Sequence, residues 1–356
     1  MIDRCNRLVA LATEKEIDAI IVTSPINYQY FSGFTGSNAI LLITKERRIL
    51  YTDFRYTIQA NIQTKGEFEV VEVSRLIGMD MIRDELKRIG ARRVGFEDAT
   101  ITVRRFKTFE TLEVTLVPFY NEMTEIRMYK SPYEIEQIIA AQNAADAAFK
   151  QLLGIIKPGM REVEVAVELE YLMKKNGADD KSFDTIVGSG ENGALCHAVP
   201  GQRRLTYGDL VVLDFGARIN GYCSDMTRTI AIGEPCDKLK EIYKIVLDAH
   251  FMALDALKPG ITGGELDAIA RDHIAAHGYG DCFGHSLGHG FGLEVHESPA
   301  AAKGNETILR PGMTITVEPG IYIEGLGGVR IEDCCIVTED GYIDPVTAPK
   351  HLIIIE

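Results

Sequence analysis

The sequence predicts two domains: an α/β unit over residues 1–122, then an α+β unit over 123–356 with an internal pseudo-twofold duplication. Three observations support this. The 356 residues exceed one ordinary domain of about 100–200 residues. The first third alternates short apolar runs with helical patterns. The remainder repeats its own punctuation, Lys157-Pro158-Gly159 returning as Lys258-Pro259-Gly260.

In the first unit, residues 2–16 place Leu8, Leu11 and Ala12 on one helical face. Asp18–Thr23 is a short apolar run of the kind that forms a buried strand. Further runs follow at Ala39–Ile43, Ile49–Thr52, Phe68–Val73 and Arg93–Phe96, with helical patterns around 79–88 and 101–110. The alternation predicts a parallel or mixed sheet covered by helices. Tyr30–Ser37 is Gly-rich but lacks G-x-G-x-x-G spacing, so it is expected to turn the chain rather than bind phosphate. Ser131-Pro132 with Glu134 opens the next helix.

In the second unit each Lys-Pro-Gly follows a long helical pattern, over 132–156 and 236–257. Each precedes a second helix ended by glycine, Gly177 or Gly278, 18 residues beyond the triplet's own glycine. A hairpin then begins at Gly208 and at Gly312, with an acid six residues on: Asp214 and Glu318. Each half thus reads helix, helix, β-hairpin.

Asn220-Gly221 is a strong hairpin signal. A two-residue turn there puts Asp225 opposite Gly216, and so diagonal to Asp214 on one face. In the second hairpin Glu318 ends an apolar run, while Arg330 and Glu332 share a face of the return strand. Duplication would bring four carboxylates together. Buried without partners they would cost several kcal/mol each, and one or two divalent cations remove that cost. Gly284–Glu297 holds His285, His289 and His296, three of the chain's eight histidines. Its glycines predict a loop leading into a strand. Carboxylates with one imidazole suit Mn²⁺, Co²⁺, Fe²⁺ or Zn²⁺ rather than a thiolate site. His197 stands in the matching stretch of the first half.

Composition narrows the partners. With 38 basic and 52 acidic residues the chain carries −14, which argues against nucleic acid. No run approaches the roughly 18–20 apolar residues of a membrane helix, and residues 1–7 lack a signal-peptide core. Seven cysteines without metal-finger spacing suit reduced thiols. A cytoplasmic protein is expected.

Five motifs occur together: Leu213-Asp214-Phe215-Gly216, Ser224-Asp225-Met226-Thr227-Arg228, Gly288-His289-Gly290, Glu318-Pro319-Gly320 and Arg330-Ile331-Glu332-Asp333. In order and spacing they resemble the pita-bread metallopeptidases, a family that includes aminopeptidase P, prolidase and methionine aminopeptidase. The N-terminal part resembles the creatinase-type domain of the Xaa-Pro branch. The resemblance implies a pita-bread catalytic domain with a dinuclear site held by Asp214, Asp225, His289, Glu318 and Glu332, Asp225 and Glu332 bridging. It implies His197, His285 and His296 as substrate-binding histidines, with His197 and His296 also catalytic. Arg330 would be the active-site arginine and Glu318 the acceptor of the proton from a metal-bridged water.

The expected activity is that of an Xaa-Pro aminopeptidase using two divalent ions (Mn²⁺, Co²⁺ or Zn²⁺) on peptides with Pro second, in a homodimer. The alternatives are an Xaa-Pro dipeptidase (prolidase) and a non-catalytic binding module. Creatinase lacks the full ligand set, which is complete here, and loss of ligands is also the usual mark of the binding modules. Two positions depart from the family: Cys196 where many relatives have Pro, and Ala300-Ala301-Ala302 where many have a basic residue. Gly284-His285-Ser286-Leu287-Gly288 also matches a serine-hydrolase elbow, but that motif needs a following helix, which Gly288, Gly290 and Gly292 oppose.

Overall fold

A computed structural model describes residues 2–74 and 78–356. The chain forms two compact units, Met1–Arg127 and Met128–Glu356. The expected boundary at 122/123 falls inside helix Tyr120–Met128, whose Met123, Ile126 and Arg127 are buried. No described helix is long and apolar enough to cross a membrane.

The first unit is a mixed six-stranded sheet ordered Glu69–Glu72, Arg48–Thr52, Ala39–Thr44, Ala19–Val22, Arg93–Phe96, Thr115–Pro118. Ala39–Thr44 runs antiparallel to both neighbours, and the other pairings are parallel. Only residues 45–47 link it to Arg48–Thr52, far fewer than the dozen or so a parallel crossover needs. The supposed turn at Tyr30–Ser37 is in part helix: Tyr30, Phe31 and Ser32 end helix Pro25–Ser32. Gly33, at φ 73°, then caps it by donating to Gln29 O.

The second unit shows the repeat in its hydrogen bonds. Helices Pro132–Leu152 and Glu162–Lys175 in one half answer Asp237–Ala256 and Gly263–Ala276 in the other. Gly159 N–H donates to Leu205 O at 2.8 Å, and Gly260 N–H to Leu309 O at 2.9 Å. Both glycines need positive φ, 86° and 97°, which only glycine adopts without strain. The next helix opens in each half with a backbone N–H held by a glutamate: Arg161 by Glu164 at 2.7 Å and Thr262 by Glu265 at 2.8 Å.

The hairpin strands follow. Asn220 (φ 50°) and Gly221 (φ 88°) make the two-residue turn. The register holds along the ribbon, with Ile219 opposite Tyr222 and Asp214 opposite Thr227. In the second half Thr314–Val317 pairs antiparallel with Asp333–Val337. The two return strands meet between the halves, where Glu332 N–H donates to Thr227 O at 3.1 Å and Thr229 Oγ1 donates to Arg330 O at 2.8 Å.

Arg228 clamps this junction. It is 1% exposed and donates to Thr227 O (2.8 Å), Glu332 O (2.6 Å), Asp333 Oδ1 (2.7 Å) and Ala348 O (2.9 Å). His250 Nε2 and Lys350 Nζ hold the other Asp333 oxygen, each at 2.8 Å. Removing one member of a buried ion pair typically costs about 3–5 kcal/mol. Arg228→Ala is therefore expected to lower unfolding stability by that amount, read as a shifted urea midpoint.

Candidate metal centre

The acid-bearing strand ends open into a cavity of about 850 Å³ within the second unit. All nine expected site residues line it: His197, Asp214, Asp225, His285, His289, His296, Glu318, Arg330 and Glu332. Asp214 sits on strand Leu210–Phe215, and Asp225 just before Met226–Ile232. His289 is the middle of the short strand Gly288–Gly290, and Glu318 follows Thr314–Val317. Glu332 lies between strands Gly327–Arg330 and Asp333–Val337. Asp225, His289 and Glu332 each offer a ligand atom within 4.8 Å of the others.

The electrostatics show what the cluster lacks. Asp225 and Glu332 are 4% and 2% exposed. Burial, and then the neighbouring carboxylates, push both well above the ordinary carboxylate range. Burial pushes Glu318 up to about 8 against the pull of Arg330. One oxygen of Asp214, Oδ1, is buried with no hydrogen-bond partner among the described residues.

His289 sharpens this. Its Nδ1 lies 3.0 Å from Gly290 O. A carbonyl only accepts, so Nδ1 is assigned the proton and Nε2 keeps its lone pair. Nε2 faces Glu318 Oε1 at 3.3 Å and Asp225 Oδ2 at 3.6 Å. Burial, then His296, brings this imidazole down to about 4, so the neutral ring is favoured. A lone pair aimed at two carboxylates is repulsive until a cation stands among them. The donor set, oxygens with one nitrogen, fits the divalent ions of a metallopeptidase.

Around this cluster stand hydroxyls that the sequence reading missed. Thr227 Oγ1 donates to Glu332 Oε2 at 2.6 Å, and Thr316 Oγ1 donates to Glu318 Oε1 at 3.2 Å. Each Thr is two residues from a site acid, hence on its strand face. Tyr322, four residues past Glu318, was detectable by the same periodicity.

Arg330 turns toward the protein's own groups. Its Nε donates to Thr227 Oγ1 at 3.1 Å, and its Nη1 to Tyr322 OH at 2.8 Å and Cys196 O at 3.2 Å. Its Nη2 holds Asp214 Oδ2. In this arrangement Arg330 positions other groups. Tyr322 OH in turn lies 2.9 Å from His285 Nε2, whose Nδ1 is 2.8 Å from Ser286 O. With the proton on Nδ1, His285 accepts from Tyr322.

His197 and His296 are exposed and line the cavity from different halves. The His296 ring centroid lies 4.3 Å from that of His289. Cys196 and Ala300, the two departures, line the same cavity. Ser286 is followed by strand Gly288–Gly290 rather than a helix, so the serine-hydrolase elbow is not formed.

The sequence matches the profile of Metallopeptidase family M24 over residues 136–339. The chain belongs to that family. The Creatinase/Prolidase N-terminal domain matches over residues 4–129, so this member of the M24 family has the two-domain architecture expected from its motifs. A Pyrococcus furiosus protein named Xaa-Pro dipeptidase is 42% identical over 347 residues, 96% of this chain and 97% of the relative. A solved Xaa-Pro dipeptidase from Bacillus anthracis superposes with TM-score 0.96 at 45% identity, covering 99% of both chains. An X-Pro aminopeptidase structure from Thermotoga maritima gives TM-score 0.92 at 39% identity, covering 99% of this chain and 100% of that one.

The raised carboxyls give the metal-free M24 protein a pH signature. In the unfolded chain the Glu318 carboxyl ionises near 4.5, whereas the folded one keeps its proton up to about 8. As pH rises through that window the unfolded state loses its proton first, so stability falls. Asp225 and Glu332 act in the same direction. The melting temperature of chelator-treated protein is expected to fall from about pH 6.5 to pH 8, above the range in which the depressed His285 and His289 oppose the carboxyls. Metal-saturated protein is expected to lose this decline, because cations replace protons at the same oxygens.

Proposed function

We propose that the protein is a metal-dependent exopeptidase that hydrolyses the Xaa-Pro bond, with free dipeptides as its preferred length. One observation carries the reading: a buried carboxylate–imidazole cluster built for cations opens into a cavity flanked by two exposed imidazoles. The sequence alone ranked the aminopeptidase first. The relatives named Xaa-Pro dipeptidase, at 42% and 45% identity over nearly the whole chain, favour the second reading.

Asp214, Asp225, His289, Glu318 and Glu332 would hold two divalent cations of the Mn²⁺, Co²⁺ or Zn²⁺ type. Bound there, such cations polarise the scissile carbonyl and lower the pKa of the attacking water. The chain's own groups do the rest. Glu318 accepts the proton from the water as its oxygen adds to the carbonyl carbon, and returns it to the prolyl nitrogen as the C–N bond breaks. His197 and His296, one from each half, donate hydrogen bonds to the oxygen that gains charge. Arg330, Thr227 and Tyr322 hold Asp214, Glu332 and His285 in place.

Loss of one positioned donor or proton-transfer group typically costs about 10²-fold or more. His197→Ala and His296→Ala are expected to lower kcat by that much while metal content and melting temperature stay near wild type. A histidine that only packed its loop would lower stability and leave kcat of the folded fraction intact.

Length preference is tested by comparing kcat/KM for Xaa-Pro, Xaa-Pro-Yaa and longer peptides with each of the three metals. Dipeptides are expected to exceed tripeptides by about tenfold, or roughly 1.4 kcal/mol. The reverse order would establish the aminopeptidase reading that the Thermotoga maritima relative favours. No hydrolysis with any metal would overturn the enzymatic reading itself.

A further inference from the structure

A second pair of imidazoles stands at the end of helix Gly263–Ala276. His273 lies in the last turn and His277 caps it. Four residues apart, they project from one face, with ring centroids 4.5 Å apart and planes at 50°. Neither lines the cavity of the metal centre.

His277 Nδ1 lies 2.9 Å from His273 O, so it is assigned the proton and Nε2 keeps its lone pair. His273 Nε2 is buried with no hydrogen-bond partner among the described residues. An unmade hydrogen bond at a buried nitrogen is costly. Burial and then His277 pull the His273 pKa below its ordinary value, with Asp248 opposing and Lys244 adding to the fall. The neutral ring keeps its lone pair.

The facing helix Asp237–Ala256 contributes charge. Glu241 acts on His277, and Asp248 on His273. Both acids already have partners: Glu241 accepts from Tyr279 OH at 2.9 Å and pairs with Lys238, while Asp248 pairs with Lys244. They therefore supply field rather than ligand atoms. The carbonyl end of helix Gly263–Ala276 adds the negative pole of its dipole.

We infer that His273 and His277 form a second metal site that chelates one borderline divalent cation, such as Cu²⁺, Zn²⁺ or Ni²⁺, independently of the catalytic metals. Imidazole nitrogen suits these ions over Mn²⁺ or Mg²⁺. Histidines four apart on a helix face use the spacing by which metalloprotease helices grip zinc. Two protein ligands leave the other coordination positions to water, so this site is weaker than the five-residue centre.

Cu²⁺ is the probe. It is titrated by calorimetry into enzyme whose metal centre is filled with diamagnetic Zn²⁺, and its environment is read by electron paramagnetic resonance. One Cu²⁺ per chain is expected, showing coupling to two imidazole nitrogens. His273→Ala and His277→Ala should each weaken it at least about tenfold and abolish the two-nitrogen pattern, with Xaa-Pro hydrolysis unchanged. His351→Ala, at an exposed histidine outside the pair, should leave the Cu²⁺ site intact. Glu332→Ala, which disables the metal centre, should also retain this Cu²⁺. The inference is overturned if the Cu²⁺ signal survives in both pair variants, is lost in Glu332→Ala, or never appears.

Discussion

Like charge held out of water is the constraint around which the catalytic unit is organised. Asp225 and Glu332 are almost completely buried, with Asp214 and Glu318 beside them. Without cations, raised pKa values and Arg330 are what relieve such a set. Arg330 neutralises one oxygen of Asp214, and the other has no hydrogen-bond partner among the described residues. His289 directs a lone pair inward where a proton donor would have relieved the repulsion. The cluster thus offers an inward lone pair and buried carboxylate oxygens of the kind a divalent cation satisfies.

What keeps the acids in place is the seam between the two repeats. Thr227 and Glu332 belong to different halves, yet share a backbone hydrogen bond and a side-chain one. Behind them Arg228 ties both strands to the segment at Ala348, and Asp333 gathers Arg228, His250 and Lys350. A charged network one layer below the site acids fixes their backbone. This is the usual division of labour between residues that bind a metal and residues that orient its ligands.

The site was largely legible in the sequence because its residues are bound to strong local signals. Asn220-Gly221 set a register that carried through to Asp214 and Thr227. The repeated glycines marked the two acid-bearing hairpins. Orientation was less legible. Nothing in the sequence shows that the donors of Arg330 are turned toward Asp214, Tyr322, Cys196 and Thr227. In the first unit, helices Pro25–Ser32 and Thr57–Thr64 are eight residues each, about two turns, too short to display a 3.6-residue period. Strand Thr115–Pro118 has four residues at the sheet edge, none of them buried, too few to display a period-2 pattern.

The imidazole of His289 breaks the symmetry of the repeat. Gly188 lies beside Val212 in the first half as His289 lies beside Thr316 in the second. A Cβ at Gly188 would meet Asn192 O at 2.9 Å, so an imidazole has no room there. A pair of identical half-length chains would have to place the same residue on both walls. A single chain of two unlike halves carries no such restriction. One wall carries a nitrogen while the other closes around glycine, so the two walls of the cavity differ in polarity.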